Sequence, residues 1–139
     1  ADKPDNAKIK LYALDRMVKI RVTEDRFTPP EELDPAGYLA GAFGVAVYDD
    51  IRPCTIRVRV AGDGVKYLRT LPLHASQQEV ETHDEYAIFE FHVAPTPEFY
   101  QAMLNCHGNF EVLSPGNVRE EMRRIIDGLH VLYCRPTNE

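Results

Sequence analysis

The chain has 139 residues, of which 44% are hydrophobic and 27% charged, and its formal net charge is −6. This length suits one domain or two very small ones, and the composition is ordinary for a soluble globular protein. The acidic balance argues against a domain that grips duplex DNA over a broad basic face, and no apolar run approaches the roughly 20 residues that span a bilayer. Because the chain starts at Ala1 rather than at Met, we expect it to be part of a longer protein.

The N-terminal part of the chain is basic although the whole chain is acidic. Residues 8–26 contain six Lys/Arg residues against three acidic ones. Apolar residues alternate imperfectly over residues 8–23, and this period of two predicts strands. The stretch LYALDRM, residues 11–17, breaks the alternation at Asp15 and Arg16, which predicts a bulge or turn that re-aims a side chain.

A stiff connection and a short helix come next. Pro29 and Pro30 fix their own backbone angles and favour extended geometry before them. Asp34 is a typical N-cap, Pro35 suits the first helical position, and Gly44 is expected to end the helix.

The rest of the chain alternates strands and helices. A strand over 55–60 places Arg57 and Arg59 on the face opposite Ile56, Val58 and Val60. The strongest strand covers 86–93, with Ala87, Phe89, Phe91 and Val93 on one face. The other predicted elements are a strand over 45–48, a helix over 65–69, an edge strand over 77–81, a helix starting at Thr96-Pro97-Glu98, a strand over 109–113, and a last helix capped by Asn117.

Helical spacing predicts a buried stripe along that last helix. Gly128 within the helix costs about 1 kcal/mol of helix propensity relative to Ala. The stripe consists of Val118, Met122, Ile125, Ile126, Leu129 and Tyr133.

The element order from residue 55 onward predicts the fold class, α+β. The order β-α-β-β-α-β is the split-βαβ, ferredoxin-like pattern, here with an extra C-terminal helix. Such a sheet is antiparallel with helices on one face. We predict a division into residues 1–50, a β-ribbon with a linker helix, and residues 51–139, the ferredoxin-like core.

Catalytic and metal-binding motifs are absent from the sequence. The five histidines form no HxH or HExxH pattern, so we expect no metal site. GxSxG, GxGxxG and Walker loops are missing as well, so we expect neither enzyme activity nor a cofactor. Three well-separated cysteines and no signal-peptide pattern indicate reduced thiols in a cytoplasmic protein.

Two groups of arginines could bind an anion. Arg16 and Arg21, together with Lys19, belong to the basic N-terminal segment, and Arg57 and Arg59 belong to the open sheet face. Arginine suits bidentate contacts to phosphate or carboxylate. The alternative is an ordinary salt-bridged surface, and the sequence leaves both interpretations open.

The order of motifs resembles the C-terminal part of bacterial WYL-domain transcriptional regulators. LYALDRM, the segment from Asp34 to Gly44, LPLHASQ at 71–77 and VLSPGNVREEMRRII at 112–126 resemble the end of a WYL domain and the C-terminal extension that follows it. The chain has no tryptophan, so the Trp-Tyr-Leu triplet that names the family is missing.

The resemblance implies a regulatory role. The ribbon would be the end of a partial Sm-like WYL barrel, and the chain would be the ligand-sensing and dimerisation region of a regulator. Duplex DNA would be bound only by a helix-turn-helix upstream of this chain. The implied partners are a second copy of the chain and a nucleotide or single-stranded nucleic acid, without a membrane. The alternative is a stand-alone protein-interaction module. The expected ligand-binding residues are Asp15, Arg16, Arg21, Arg57, Arg59, His74 and Gln77.

Overall fold

The computed structural model of the chain describes residues 12, 14–28, 30–31, 34–44, 47–48, 50–106 and 109–135. A short 3-10 turn, Leu14–Arg16, precedes the regular elements. The strands are β1 (Cys54–Ala61), β2 (Gln78–Thr82), β3 (Tyr86–Val93) and β4 (Phe110–Ser114), and the helices are α1 (Pro35–Ala40), α2 (Asp63–Thr70), α3 (Pro97–Leu104) and α4 (Gly116–Tyr133).

The four strands form one antiparallel sheet in the order β2-β3-β1-β4. The two central strands pair over their full lengths, from Cys54 opposite Val93 to Ala61 opposite Tyr86. Together with the element order, this sheet is consistent with the split βαβ arrangement. The α+β class with a ferredoxin-like core and a C-terminal helix is therefore confirmed.

One face of the sheet forms the hydrophobic core. Strand residues two apart share a face, and Ile56, Val58 and Val60 of β1 are fully buried on it. On β3 the core residues are Ala87, Phe89, Phe91 and Val93, as the alternation predicted.

Helices α2, α3 and α4 cover this core with one or two apolar side chains each. The packed residues are Leu68 of α2, Phe99 and Met103 of α3, and Val118 and Met122 of α4. Burying a side chain of this size contributes about 1.5–3 kcal/mol. The opposite face of the sheet, with Arg57 and Arg59, carries none of these helix side chains.

The segment that follows α1 also packs on the core. Phe43 is buried and meets the Phe99 ring edge-on, with the ring centres 5.4 Å apart. The Thr96 hydroxyl donates to the Phe43 carbonyl at 3.2 Å, and the Ala94 N–H donates to the Gly41 carbonyl at 2.8 Å. Thr96 thus uses its hydroxyl to hold this segment rather than to cap α3. The boundary predicted at residues 50 and 51 stays a prediction, although Phe43 belongs to the core.

The predicted N-terminal β-ribbon is not formed by the described part of residues 8–23. The predicted break at Leu14–Arg16 is a 3-10 turn, and no strand follows it up to residue 28. Residues 8–11 and 13 lie outside the described residues. The described side chains here are exposed, and a two-stranded ribbon without packing is marginal at best, so alternation alone does not make a strand.

Some element boundaries differ from the predictions. Asp34 caps α1 as predicted, accepting from the Ala36 N–H at 3.1 Å, but α1 ends at Ala40. The last helix starts at Gly116, after Pro115 rather than Asn117. The predicted strand over 45–48 falls partly outside the described residues, and Val47 and Tyr48 are not in a strand.

The buried stripe predicted for the last helix is buried only in its first half. Val118 and Met122 are buried and Ile125 is half-buried, but Ile126, Leu129 and Tyr133 are exposed. Helix α4 has 18 residues, and its C-terminal half extends past the elements on which its first half packs. Helical spacing correctly predicted which residues share a face of α4, but not where along the helix that face stops being buried.

Candidate functional site

The open face of the sheet holds the first pair of predicted site residues. Arg57 lies opposite Glu90 of β3. Its Nη2 donates to Glu81 Oε1 at 2.5 Å, while its Nε lies 3.3 Å from Glu90 Oε1 without hydrogen-bond geometry. The hydrogen bond from Arg57, followed by that from His83, lowers the pKa of the Glu81 carboxyl. The guanidinium of Arg57 is therefore neutralised by two carboxylates.

Arg59 is held by an aromatic ring and an acid. Its guanidinium carbon lies 4.4 Å from the centre of the Tyr86 ring, a cation–π contact. Its Nη1 lies 3.8 Å from Glu111 Oε2, and the His83 ring stacks on Tyr86 at 4.3 Å. An anionic ligand at this face would have to compete with carboxylates already in place, so the local geometry favours the salt-bridged interpretation of these arginines.

The other predicted pair, His74 and Gln77, lies in the loop between α2 and β2. The Gln77 side-chain amide donates to the Leu68 carbonyl at 2.8 Å, and its oxygen accepts from the Leu73 N–H at 3.0 Å. Gln77 thus fastens the loop to the C-terminal end of α2. These bonds occupy both ends of the Gln77 side chain.

His74 fastens the same loop to the segment after α1. Its ring stacks on Phe43 with the ring centres 6.2 Å apart, and its Nδ1 accepts from the Ser76 N–H at 3.1 Å. Burial lowers the pKa of His74, and the contact with the Ala42 backbone acts in the opposite direction.

Ser76 completes the attachment of the loop to the sheet. Its Oγ accepts from the His92 N–H at 2.9 Å and lies 3.3 Å from the His92 carbonyl oxygen. In this loop the motif LPLHASQ therefore has a structural explanation: His74, Ser76 and Gln77 tie together α2, β3 and the segment that contains Phe43.

Asp15, Arg16 and Arg21 lie on the exposed N-terminal segment. All three side chains are exposed, Asp15 and Arg16 within the 3-10 turn. In the part of the chain that the structure describes, no hydrogen bond or ion pair joins them to the sheet-face arginines or to His74 and Gln77. The seven predicted residues thus fall into three separate groups, and their role in ligand binding stays a prediction.

A family comparison covers the elements just described. Residues 52–129, 78 of the 139 residues, match the family model described as the WCX domain. The chain belongs to the WCX domain family. WCX is the C-terminal part associated with WYL-domain regulators, so the resemblance is confirmed for the extension and not for the WYL barrel. A search of curated proteins gave no match to the chain.

Metal binding and thiol chemistry find little support in the described part of the WCX chain. Among those residues, no group of three or more His, Cys, Asp or Glu side chains could hold a metal ion. Cys54, Cys106 and Cys134 are free, and burial raises the pKa of the first two, which keeps them as thiols. No helix within the described ranges is long and apolar enough to cross a bilayer.

Sequence reasoning missed an apolar groove between α3 and α4. The groove has a volume of about 490 Å³. Its apolar lining includes Tyr100 and Leu104 of α3 and Ile125 of α4, with Glu121 at its polar edge. Later along α4, Leu129 and Leu132 are exposed. The signal available in the sequence was the apolar spacing of the last helix, which was interpreted as a buried stripe.

A second concave surface adjoins α1. It has a volume of about 510 Å³ and is lined by backbone and by Tyr38, Tyr48 and Arg52 among others. Nothing in the sequence pattern predicted that these residues would share a cavity, since they come from different segments of the linker.

Proposed function

We propose that this chain is the regulatory C-terminal module of a WYL-type transcription regulator and that it acts by binding rather than by catalysis. The observation that carries the proposal is the WCX match, which covers all four strands and most of α4. The side-chain contacts add support, because the polar groups of the LPLHASQ loop serve the fold and the sheet-face arginines are paired with carboxylates.

The proposal includes self-association in the cytoplasm. The support for it is the apolar surface at the end of α4, where Leu132 is 60% and Tyr133 is 87% exposed. Isolated exposed apolar residues are normal, whereas contiguous patches mark interaction sites. The same surface would serve a stand-alone interaction module, the second candidate, which differs in requiring no regulator and no nucleic-acid ligand.

The proposal also includes a nucleotide or single-stranded nucleic acid as ligand of the N-terminal segment. Arg16 and Arg21 are exposed there, and so are the rings of Tyr12 and Phe27. Guanidinium groups contact phosphates, and exposed aromatic rings stack on unpaired bases. Duplex DNA would be bound by another part of the regulator, since the net charge of this chain is −6.

A titration with a fluorescent single-stranded oligonucleotide tests the ligand. We expect measurable binding that weakens about three- to tenfold in Arg16→Ala, because one phosphate contact is lost. The slope of log K against log salt concentration should fall in magnitude by about 0.7.

Lys66→Ala is the matched control. Lys66 is an exposed cation on α2, its ammonium 3.3 Å from Asp63, so this variant removes the same charge at a distant place and should leave the affinity within about twofold. Equal losses in both variants would indicate non-specific attraction, and absence of binding at low salt would overturn the ligand part of the proposal.

A further inference from the structure

The C-terminal half of α4 has an apolar face with no cover in the described residues. Ile126 is 48% and Leu129 is 40% exposed, and the exposure rises further toward Tyr133 at the end of the helix. The first half of the same helix packs on the core through Val118 and Met122. One continuous helix therefore offers two surfaces, and among the described residues only the first is covered.

A second set of residues, along α4 and just past its end at Tyr133, forms a stripe centred on Gly128. Its positions alternate in steps of four and three, so that its four members within α4 lie along one side of the helix, and Arg135 follows two residues after the helix end. The centre of the stripe is Gly128, with an apolar residue on each side, an acid at the N-terminal end and a base at the C-terminal end. The stripe consists of Glu121, Ile125, Gly128, Leu132 and Arg135.

This stripe faces the groove between α3 and α4. Glu121 and Ile125 line the groove together with Tyr100 and Leu104. The later stripe residues, Leu132 and Arg135, are exposed beyond it. The same side of α4 thus offers a groove in its first half and a projecting apolar ridge in its second half.

Gly128 lies where these two halves meet. A Cβ added there would meet no described atom within 4 Å, so packing within the described part of the chain gives no reason for glycine. Glycine weakens a helix interior relative to alanine. It also lets a second helix approach closely, because the distance between packed helices depends on the side chains at the crossing.

We propose that a second copy of this chain covers this face, with the two α4 helices antiparallel and crossing at Gly128. Residues equally far from Gly128 then oppose each other, so Glu121 of one copy, which also pairs with Arg124 of its own chain at 2.6 Å, meets Arg135 of the other. Leu132, four positions after Gly128, enters the partner groove within one residue of the level of Ile125, three positions before it. The match between acid and base, and between ridge and groove, is reciprocal, as a two-fold interface requires. This inference rests on the self-association in the proposed function and assigns the surface that performs it.

A charge exchange tests the pairing across the axis. Sedimentation equilibrium should show a dimer whose dissociation constant rises at least tenfold in Leu132→Glu. It should rise about three- to tenfold in Glu121→Arg, which creates like charges opposite Arg135. The double variant Glu121→Arg/Arg135→Glu should return to within about threefold of the original chain, because the pair is restored in the opposite sense.

Cross-linking tests the position of the axis. In a Cys134→Ser background, Gly128→Cys should form an intermolecular disulfide under mild oxidation, since cysteines at a helix crossing come within the roughly 4.4–6.8 Å between Cα atoms that a disulfide needs. Asp127→Cys, one position earlier and exposed, points away from the stripe and should cross-link far more slowly. Far-UV circular dichroism of each variant checks that it is folded.

The outcomes that would contradict this α4 interface differ from those that would contradict oligonucleotide binding. A chain that stays monomeric near 1 mM overturns the interface and the self-association. A dimer that Leu132→Glu leaves intact, or that the double variant does not restore, overturns this interface alone. In either case the ligand part of the proposed function stands or fails on its own measurement.

Discussion

His74 is a residue whose role follows from its surroundings rather than from its motif. Histidine in a polar loop is a natural candidate for ligand binding, but here the ring lies against Phe43 and bonds to Ser76. A half-buried imidazole in this position favours its neutral form, because burial penalises the charged one. The residue therefore links stability to pH.

The sign of this linkage predicts a loss of stability at mildly acidic pH. The folded-state pKa of His74 lies below its unfolded value, so the unfolded chain binds the proton more readily. The contribution of His74 is fully present above about pH 6.5 and falls as the pH drops toward 5, by at most about 1.4 kcal/mol per pH unit for one proton.

Urea unfolding between pH 7.5 and 5 measures this slope. His74→Gln should flatten the pH dependence of the free energy of unfolding, whereas His130→Gln on the exposed part of α4 should leave it unchanged. If both variants keep the original slope, the titrating group is not His74.

At the scale of elements, the segment from Gly41 to Gly44 is part of the folded core. It contributes the Phe43 ring to the cluster under α3 and accepts hydrogen bonds from Ala94 and Thr96. The apolar face predicted for the preceding helix included Ala42 and Phe43, but the sequence did not indicate which element Phe43 would contact.

A pair of phenylalanine variants checks the contribution of this segment. Phe43→Ala should lower the free energy of unfolding by about 3–5 kcal/mol, the usual cost of emptying a buried phenylalanine site. Phe27→Ala makes the same chemical change at a ring that is 84% exposed and should stay within about 0.5 kcal/mol. Similar losses from urea denaturation in both variants would place Phe43 outside the cooperative core.

Alternation of apolar residues was sufficient to predict some strands and not others. Strands β1 and β3 were predictable because each buries one face against the core, which imposes a strict alternation on Ile56 to Val60 and on Ala87 to Val93. The N-terminal segment alternates too, but pairing depends on a neighbouring strand, and alternation carries no information about that neighbour.

The candidate site was predictable only in part, for the same physical reason. The pattern placed Arg57 and Arg59 on the open face correctly. Their partners Glu81 and Glu111 come from β2 and β4, and only the sheet order brings those strands beside β3 and β1. The exposed end of α4 was missed because helical spacing reveals which residues share a face but not whether another element covers them.

At the scale of the whole molecule, the hydrophobic core begins before the region of the family match. The match starts at residue 52, but Phe43 is already in the core. A fragment that starts at residue 51 therefore lacks a core side chain, which matters for any study of the isolated domain.

Two deletions locate the start of the segment that folds cooperatively with the core. Removal of residues 1–33 should change the melting temperature by no more than about 2 °C, because the described side chains up to Phe27 are exposed. Removal of residues 1–50 should lower it by about 10 °C or more, since a loss of 1 kcal/mol shifts a domain of this size by roughly 4 °C. Equal melting temperatures in differential scanning calorimetry would support the boundary at residues 50 and 51 instead.

The hydroxyl of Ser76 has a consequence for how copies of the molecule behave when crowded. Before the first residue of β2, the main-chain groups of His92 would be open to an incoming extended segment, and Ser76 fills that place with a side chain. An uncapped stretch of this kind is where fibres and insoluble aggregates begin. Because Ser76 blocks this position, strand pairing between copies of the protein has one fewer place to begin, even in concentrated solution.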